Sequence, residues 1–361
     1  MNYHSEVVGS LLRPTYLLVA RQEFESGNLS PADFKAIEDR AVNEAIALQE
    51  AVGLDVITDG EMRRYNFYGH LIDSLEGFDK FGGMTIRFRD EKGERTPHTM
   101  PVVVERLKWR RNMCAEEWTY LRARSSRPGK VTVPSVMMVA DYYDAEKSKA
   151  AYPTQDAYLA DLVDFTRREV EELIRLGCTY IQFDAPSYTR YLDPHARESY
   201  RKRGEDPDKL LAHSIEVDNA IIDGFSDVTF AVHLCRGNNE SKFYASGDYE
   251  PISQIFTRSH FKRFLLEYDD ERSGGFEVLQ HVPEDRIVVL GLVTTKKPDL
   301  ESAEELRQRI KEATRYIPLA RLALSPQCGF ASTMEGNHLS LEDQRRKIEL
   351  VVSVAREIWE A

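Results

Sequence analysis

Long hydrophobic runs are absent from this sequence. No segment approaches the roughly 18 uninterrupted apolar residues that a membrane-spanning helix requires. The first 13 residues also lack the basic start and apolar core of a secretory signal. We therefore expect a cytoplasmic protein that has no membrane partner.

Cysteine is scarce, with four residues in a chain of 361, at positions 114, 178, 235 and 328. Thiols of a cytoplasmic protein are expected to stay reduced, which argues against a disulfide framework. The four cysteines are then buried hydrophobic residues, nucleophiles or metal ligands. Cys114 and Cys178 lie away from the predicted catalytic end of the fold described below, so we interpret both as structural.

An excess of positive charge is also missing. The 48 lysines and arginines face 60 aspartates and glutamates, which gives a formal net charge of −12. Nucleic-acid-binding proteins usually carry a basic surface, so we expect no nucleic-acid partner. No Gly-x-Gly-x-x-Gly motif follows any predicted strand, and nothing therefore supports a dinucleotide site.

Short apolar runs rich in β-branched residues recur along the chain and alternate with amphipathic stretches. The predicted strands are 6–10, 54–59, 130–136, 179–184, 229–235, 264–268, 286–293 and 321–325, and the clearest helices are 31–52, 156–176, 301–316 and 340–360. Eight strands alternating with helices predict an α/β fold, a single (β/α)8 TIM barrel over residues 1–361. An open doubly wound sheet is the alternative.

The connection between the second and third predicted strands is unusually long. Residues 69–129 contain a charged stretch followed by Trp109 and Trp118. Sixty residues exceed a simple loop, so we expect an insertion that extends over one end of the barrel. Three roles are open to it: a lid, a donor-binding surface, or a subunit contact in a homo-oligomer.

Polar residues follow most of the predicted strands. Barrel enzymes carry their chemistry at the carboxyl ends of the strands, so these residues are expected to converge on one rim. They include Ser10, Asp59, Glu61, Asp184, His233, Cys235, Asn238, Glu267 and Cys328. The middle parts of the same strands carry almost no polar side chains, and the rim is therefore the candidate active site.

A metal site is the first interpretation of this rim. His233 and Cys235 lie two residues apart at a strand end, which places both side chains on one face. The pair alone is more typical of a half-buried histidine beside a core cysteine. Cys328 and Glu267 lie on the same rim and make a metal site the favoured interpretation, because thiolates with an imidazole select zinc. Glu267 is the least secure ligand, since acidic residues follow it and an acidic run is usually solvated.

A thiol substrate suits such a site. Zinc coordination deprotonates a thiol at neutral pH, whereas a free thiol with a pKa near ~8.5 is mostly protonated. We expect Ser10, Glu61, Asp184 and Asn238 to bind the substrate, with Glu61 and Asp184 as catalytic candidates. There are structural alternatives for two of these residues: Ser10 could form part of a turn, and Asp184 could cap a helix. Arg236 and Lys296 are the cations that could face an anionic donor or thiol.

At these residues the sequence resembles the catalytic barrel of cobalamin-independent methionine synthase. The motifs that carry the likeness are 8–10 (VGS), 53–61 (GLDVITDGE), 181–186 (IQFDAP), 233–238 (HLCRGN) and 324–329 (LSPQCG). The resemblance implies a TIM barrel and a zinc ion bound by His233, Cys235, Glu267 and Cys328. It also implies that Ser10, Glu61 and Asp184 hold the amino-acid substrate, homocysteine.

Three departures from the family pattern concern the methyl donor. The chain lacks the additional N-terminal barrel of the long enzymes, and Ala185 replaces the second carboxylate of an Asp-Glu-Pro motif. Val293 lies where the family has a histidine implicated in proton transfer. We therefore expect a zinc-dependent S-methyltransferase that uses methyltetrahydrofolate or another donor. A thiol alkyltransferase with a non-folate electrophile, a non-catalytic zinc- or thiol-binding relative and a metal-free decarboxylase are the alternatives.

Overall fold

A computed structural model describes residues 3–90 and 92–360. Glu91, which belongs to the predicted 69–129 insertion, lies outside the described residues, as do residues 1, 2 and 361 of the predicted domain. Within the described ranges, no helix combines the length and apolar character needed to cross a bilayer.

The described residues form ten strands and twelve α-helices. The strands are β1 Leu75–Asp79, β2 Thr85–Arg89, β3 Arg95–Thr99, β4 Val102–Trp109, β5 Val131–Pro134, β6 Tyr180–Asp184, β7 Thr229–Leu234, β8 Arg263–Glu267, β9 Ile287–Val293 and β10 Leu322–Pro326. The helices are α1 Thr15–Glu25, α2 Pro31–Val52, α3 Gly69–Ser74, α4 Ala115–Arg122, α5 Val136–Ala140, α6 Gln155–Arg175, α7 Pro186–Arg190, α8 Pro194–Lys202, α9 Pro207–Ile222, α10 Gln254–Arg258, α11 Ala303–Ala313 and α12 Leu341–Trp359.

Six parallel strands, in the order β10-β9-β8-β7-β6-β5, form the main sheet. Two further segments close it into a barrel. Ser5 bridges Leu324 of β10, Glu6 bridges Val56, and Ile57 bridges Gly129 immediately before β5, all in parallel. The predicted eight-stranded barrel is therefore present, although its first two strands pair only through these single bridges.

Helix α2 shows how the sequence sets the ends of a helix. The Ser30 side chain accepts a hydrogen bond from Asp33 N, and Pro31 occupies the first helical position. Gly53 ends the helix with a φ of 86°, a conformation that glycine adopts without steric cost. The helices predicted at 31–52, 156–176, 301–316 and 340–360 correspond to α2, α6, α11 and α12.

Residues 69–129 contain two antiparallel strand pairs that the sequence analysis did not predict. Strand β1 pairs with β4, and β2 pairs with β3 to form a hairpin, called here the β2–β3 hairpin. Arg89 at the end of β2 exchanges two backbone hydrogen bonds with Phe243, of 2.7 and 2.8 Å. Because Phe243 follows β7, these bonds fix the hairpin over the carboxyl end of the barrel.

A cluster of buried charges lies within the barrel, on the side opposite the catalytic rim. Glu6 accepts hydrogen bonds from Lys130 Nζ at 2.6 Å, Arg263 Nη2 at 2.6 Å and the Tyr180 hydroxyl at 2.8 Å. Burial raises the pKa of the Glu6 carboxyl, but the charges of Lys130 and Arg263 outweigh burial and lower it to about 2. The ionised form of each group in this cluster is therefore stabilised by its oppositely charged partners.

Replacing Lys130 with methionine should destabilise the fold, because Glu6 would keep its charge with one cation fewer. We expect the free energy of unfolding, measured by urea denaturation, to fall by about 3–5 kcal/mol. Lys262→Met removes an exposed ion pair with Asp285 and should cost less than about 1 kcal/mol. Equal losses in the two variants would contradict the role assigned to the buried cluster.

Candidate metal and substrate site

Four side chains that can ligate a metal converge at the carboxyl ends of three barrel strands. His233 lies in β7 and Cys235 directly after it, Glu267 ends β8, and Cys328 follows β10. One ligand atom from each lies within 4.8 Å of the other three. The structure thus brings together all four residues that the sequence analysis predicted as ligands.

The geometry of the four groups fits a tetrahedral metal site. The Cys235 and Cys328 sulfurs are 3.6 Å apart, close to the ~3.8 Å that two Zn–S bonds of about 2.3 Å would give. His233 Nε2 and Glu267 Oε1 are 3.7 Å apart. His233 Nε2 and Glu267 Oε2 are buried without a hydrogen-bond partner, which is unfavourable unless another group, such as a metal ion, contacts them.

Backbone groups orient the ligands from behind. His233 Nδ1 lies 3.3 Å from the Leu265 carbonyl, so its Nε2 is the nitrogen directed towards the cluster. Glu267 Oε1 accepts a hydrogen bond of 3.0 Å from Arg236 N. Contacts of this kind fix the tautomer and orientation of metal-binding side chains.

The ionisation of the protein groups also favours a cation. The contact with Cys235 and the neighbouring His233 imidazole lower the pKa of the Cys328 thiol well below its usual range. Burial lowers the pKa of His233, but the adjacent Cys328 thiol and the charges of Glu267 and Asp184 outweigh burial and raise it to about 9. Burial raises the pKa of Glu267 to about 7. A bound cation would replace the protons that this cluster now shares.

A cavity of about 270 Å³ opens onto three of the four groups. Ser10, Glu61 and Asp184 line it together with His233, Cys235 and Cys328. The predicted substrate residues therefore share one cavity with the predicted ligands. A molecule bound there would contact both sets at once.

Each carboxylate in the cavity has one oxygen held by the protein. Glu61 adopts a left-handed conformation, with a φ of 54°, and its Oε1 accepts a hydrogen bond of 2.6 Å from Thr132. Glu61 Oε2 is buried and has no hydrogen-bond partner. Burial and the charge of Glu61 raise the pKa of Asp184 to about 7. A cationic group in the cavity that donates hydrogen bonds would contact the free oxygens of both Glu61 and Asp184.

Two glycines allow this close packing. A Cβ at Gly9 would lie 2.6 Å from Glu61 Oε1, and a Cβ at Gly329 would lie 2.5 Å from Ser10 Oγ. Both distances are shorter than van der Waals contact. A side chain at either position would therefore displace one of the predicted substrate residues.

Asn238 also lines the cavity, but its side chain is occupied by protein partners. Its amide nitrogen donates to Gly329 O at 2.6 Å and to Ser332 Oγ at 3.0 Å, and its oxygen accepts from Asn337 at 2.8 Å. These bonds fix the loop that follows Cys328. They support a role in loop positioning, and the predicted substrate contact stays a prediction.

The sequence analysis missed much of the cavity wall. Apolar and aromatic residues cover it opposite the ligands: Phe67, Tyr68, Met84, Ile86, Phe88, Met100, Met138, Tyr142 and Tyr244. Met84, Ile86 and Phe88 alternate with polar residues along the β2–β3 hairpin, which is the signal that could have revealed a strand with one apolar face.

The cations at this site also differ from expectation. Neither Arg236 nor Lys296 is among the described residues that line the cavity. Arg236 is fully buried and donates to Gly247 O, and Lys296 donates to Asn238 Oδ1 at 3.3 Å. Arg190, which pairs with Asp141, is the arginine that reaches the cavity wall. Val293 is buried and lies outside the lining.

Comparison with known proteins agrees with the barrel fold. A model of the cobalamin-independent synthase catalytic domain matches residues 5–357. The chain belongs to this family. Members are methionine synthase methyltransferases, and the chain is accordingly a methionine synthase-like transferase with a TIM-barrel fold.

Individual relatives span almost the whole chain. It is 34% identical to the YxjH protein of Bacillus subtilis, over 99% of this chain and 95% of the relative. It is 24% identical to a methionine synthase of Pyrococcus abyssi, over 98% and 91% of the two chains. A B12-independent methionine synthase from Shewanella has the same fold, with a TM-score of 0.77 at 20% identity over 100% and 98%.

Asn238→Ala should loosen the loop that carries Cys328. We expect the affinity for a divalent metal, measured by cobalt titration, to fall roughly tenfold or more, because residues that orient ligands affect affinity to this extent. Asn219→Ala removes a side chain that bonds Arg258 O and His260 N far from the site, and should leave metal affinity unchanged. Unchanged metal affinity in Asn238→Ala with weaker thiol binding would instead assign Asn238 to the substrate.

Proposed function

We propose that this transferase is a zinc-dependent S-methyltransferase whose acceptor is homocysteine or a similar amino-acid thiol. One observation carries the proposal: His233, Cys235 and Cys328 of the four-residue cluster line the same cavity as Ser10, Glu61 and Asp184. Metal-binding and carboxylate groups in one cavity match the two ends of a thiol-bearing amino acid.

Zinc is the metal that this donor set favours. Two thiolates, one imidazole and one carboxylate are typical zinc ligands, whereas magnesium and calcium prefer oxygen. When bound there, zinc would keep the sulfur of the acceptor deprotonated at neutral pH. The four residues of the chain would hold the ion and leave the cavity side open to the acceptor.

The charged groups of the cavity would bind the amino-acid end. Glu61 Oε2 lacks a protein partner, and the pKa of Asp184 is raised by burial and by the charge of Glu61. An α-ammonium group between them would supply hydrogen-bond donors and a compensating charge. The Ser10 hydroxyl adds a further polar contact at the same wall.

The apolar wall would receive the alkyl donor. Met84, Ile86 and Phe88 come from the β2–β3 hairpin, so we include the 69–129 insertion in a single catalytic domain with the barrel. Exclusion of water by these side chains would protect the nucleophile and strengthen electrostatic contacts. The side chains would also hold the apolar part of the donor next to the sulfur.

A second candidate is a thiol alkyltransferase with a non-folate electrophile. The apolar residues around most of the cavity favour it, as does Val293 in place of the family histidine. The intact ligand cluster opposes a metal-free decarboxylase, which would need several cations at the rim. A non-catalytic zinc- or thiol-binding relative would keep the same cluster, so the donor screen below separates it from the first two candidates.

Metal analysis tests the zinc assignment. Protein purified without added metal should contain about one zinc per chain, and Cys235→Ser and Cys328→Ser should each lose most of it, because each removes one of the four ligands. Cys178→Ser is the matched control, since this buried cysteine lies at the opposite end of the barrel. Metal-free native protein, or full zinc in both ligand variants, would contradict the proposal.

A donor screen tests the reaction. Zinc-loaded protein with homocysteine should form methionine from methyltetrahydrofolate or a methylated corrinoid, measured by mass spectrometry. The Glu61→Gln variant should raise the KM for homocysteine about tenfold or more, because a buried contact to the ammonium is lost. Formation of alkylated thiols from epoxides alone would favour the second candidate. No reaction with any of these donors would argue against both.

A further inference from the structure

The Gln182 side chain lies inside the barrel, directly below the substrate cavity. It is fully buried in β6 and makes three hydrogen bonds. Its Oε1 accepts from Lys130 Nζ at 2.7 Å, and its Nε2 donates to Val8 O at 2.8 Å and to Asp184 Oδ1 at 2.7 Å. Every polar atom of the side chain is therefore used.

Lys130 fixes the orientation of this amide. An ammonium group only donates hydrogen bonds, so the glutamine oxygen must face Lys130 and the two amide hydrogens must face Val8 and Asp184. Lys130 is itself held by Glu6 at 2.6 Å, and Arg263 contacts the other oxygen of that carboxylate. The buried charge cluster thereby prevents a flip of the Gln182 amide.

The amide joins two of the segments that carry the substrate residues, those of Ser10 and Asp184. Val8 lies two residues before Ser10 in a segment that pairs with the barrel only through single bridges. Among the described residues, Gln182 is the only hydrogen-bond donor to the Asp184 carboxylate. With Oδ1 engaged by an N–H donor, the second oxygen of Asp184 is left as an acceptor for the cavity.

We propose that Gln182 is a positioning residue that gives the site its preference for thiols bearing an ammonium group. This inference rests on the proposed function, in which Asp184 binds the α-ammonium of the acceptor. Gln182 holds Asp184 in position through the hydrogen bond of 2.7 Å to Oδ1, which leaves the second carboxylate oxygen as the acceptor for the ammonium group. Gln182 itself does not line the cavity.

Two thiols that differ only in the amine test this role. Homocysteine and 4-mercaptobutyrate share the same carbon chain, carboxylate and sulfur. Their dissociation constants can be measured from the visible spectrum of cobalt-substituted protein. Wild-type protein should prefer homocysteine, and Gln182→Met should reduce that preference about tenfold or more, with the affinity for 4-mercaptobutyrate unchanged.

A second variant and a control separate positioning from folding. Gln182→Glu keeps an acceptor for Lys130 but removes the donors to Asp184, so it should lose the preference as Gln182→Met does. Ile310→Ala creates a cavity in the core beneath α11, far from the site, and should lower the melting temperature without changing the preference.

The outcomes are distinct. Equal weakening of both thiols in the Gln182 variants would overturn the positioning role and indicate a packing role. Equal affinity of the wild type for the two thiols would show that Asp184 does not bind the ammonium group. That result would also overturn the inference. If wild-type protein bound neither thiol, the proposed function itself would fail.

Discussion

Burying four ionisable ligand groups within 4.8 Å of one another is the constraint on which this site depends. Two thiols, a carboxylate and an imidazole lose hydration there, and like charges among them repel. In the protein alone, these contacts lower the pKa of Cys328 and raise that of His233. Because a cation removes this conflict, the same arrangement that is unfavourable on its own favours a metal.

The barrel places these four groups at the carboxyl ends of its strands, away from its hydrophobic core. Ligands come from the ends of β7 and β8 and from the loop after β10, so no single element has to carry them all. Below them, the polar contacts continue from Asp184 through Gln182 and Lys130 to Glu6. This chain of hydrogen bonds links the weakly paired N-terminal segment to the substrate cavity, and the rim and floor of the barrel therefore depend on each other.

The sequence predicted the barrel well because parallel strands and amphipathic helices carry strong periodic signals. It also predicted which strand ends would meet, since His233, Cys235 and Cys328 are chemically distinctive. It missed the β2–β3 hairpin, whose apolar face alternates over only Met84, Ile86 and Phe88. It raised Arg236 and Lys296 as cations that could face an anionic donor or thiol, yet Arg236 donates to Gly247 O and Lys296 to Asn238 Oδ1. Such hydrogen bonds depend on tertiary geometry that local patterns do not encode.

The two halves of the proposed reaction thus lie on different parts of the chain. Thiol activation depends on strand ends, where a shift of a fraction of an ångström would disturb metal geometry. The wall facing the donor comes largely from the hairpin and aromatic residues, which can vary without altering the ligands. Val293 is buried and lies outside that wall. Changes to the hairpin would therefore affect the donor side of the proposed reaction and leave the four proposed ligands in place.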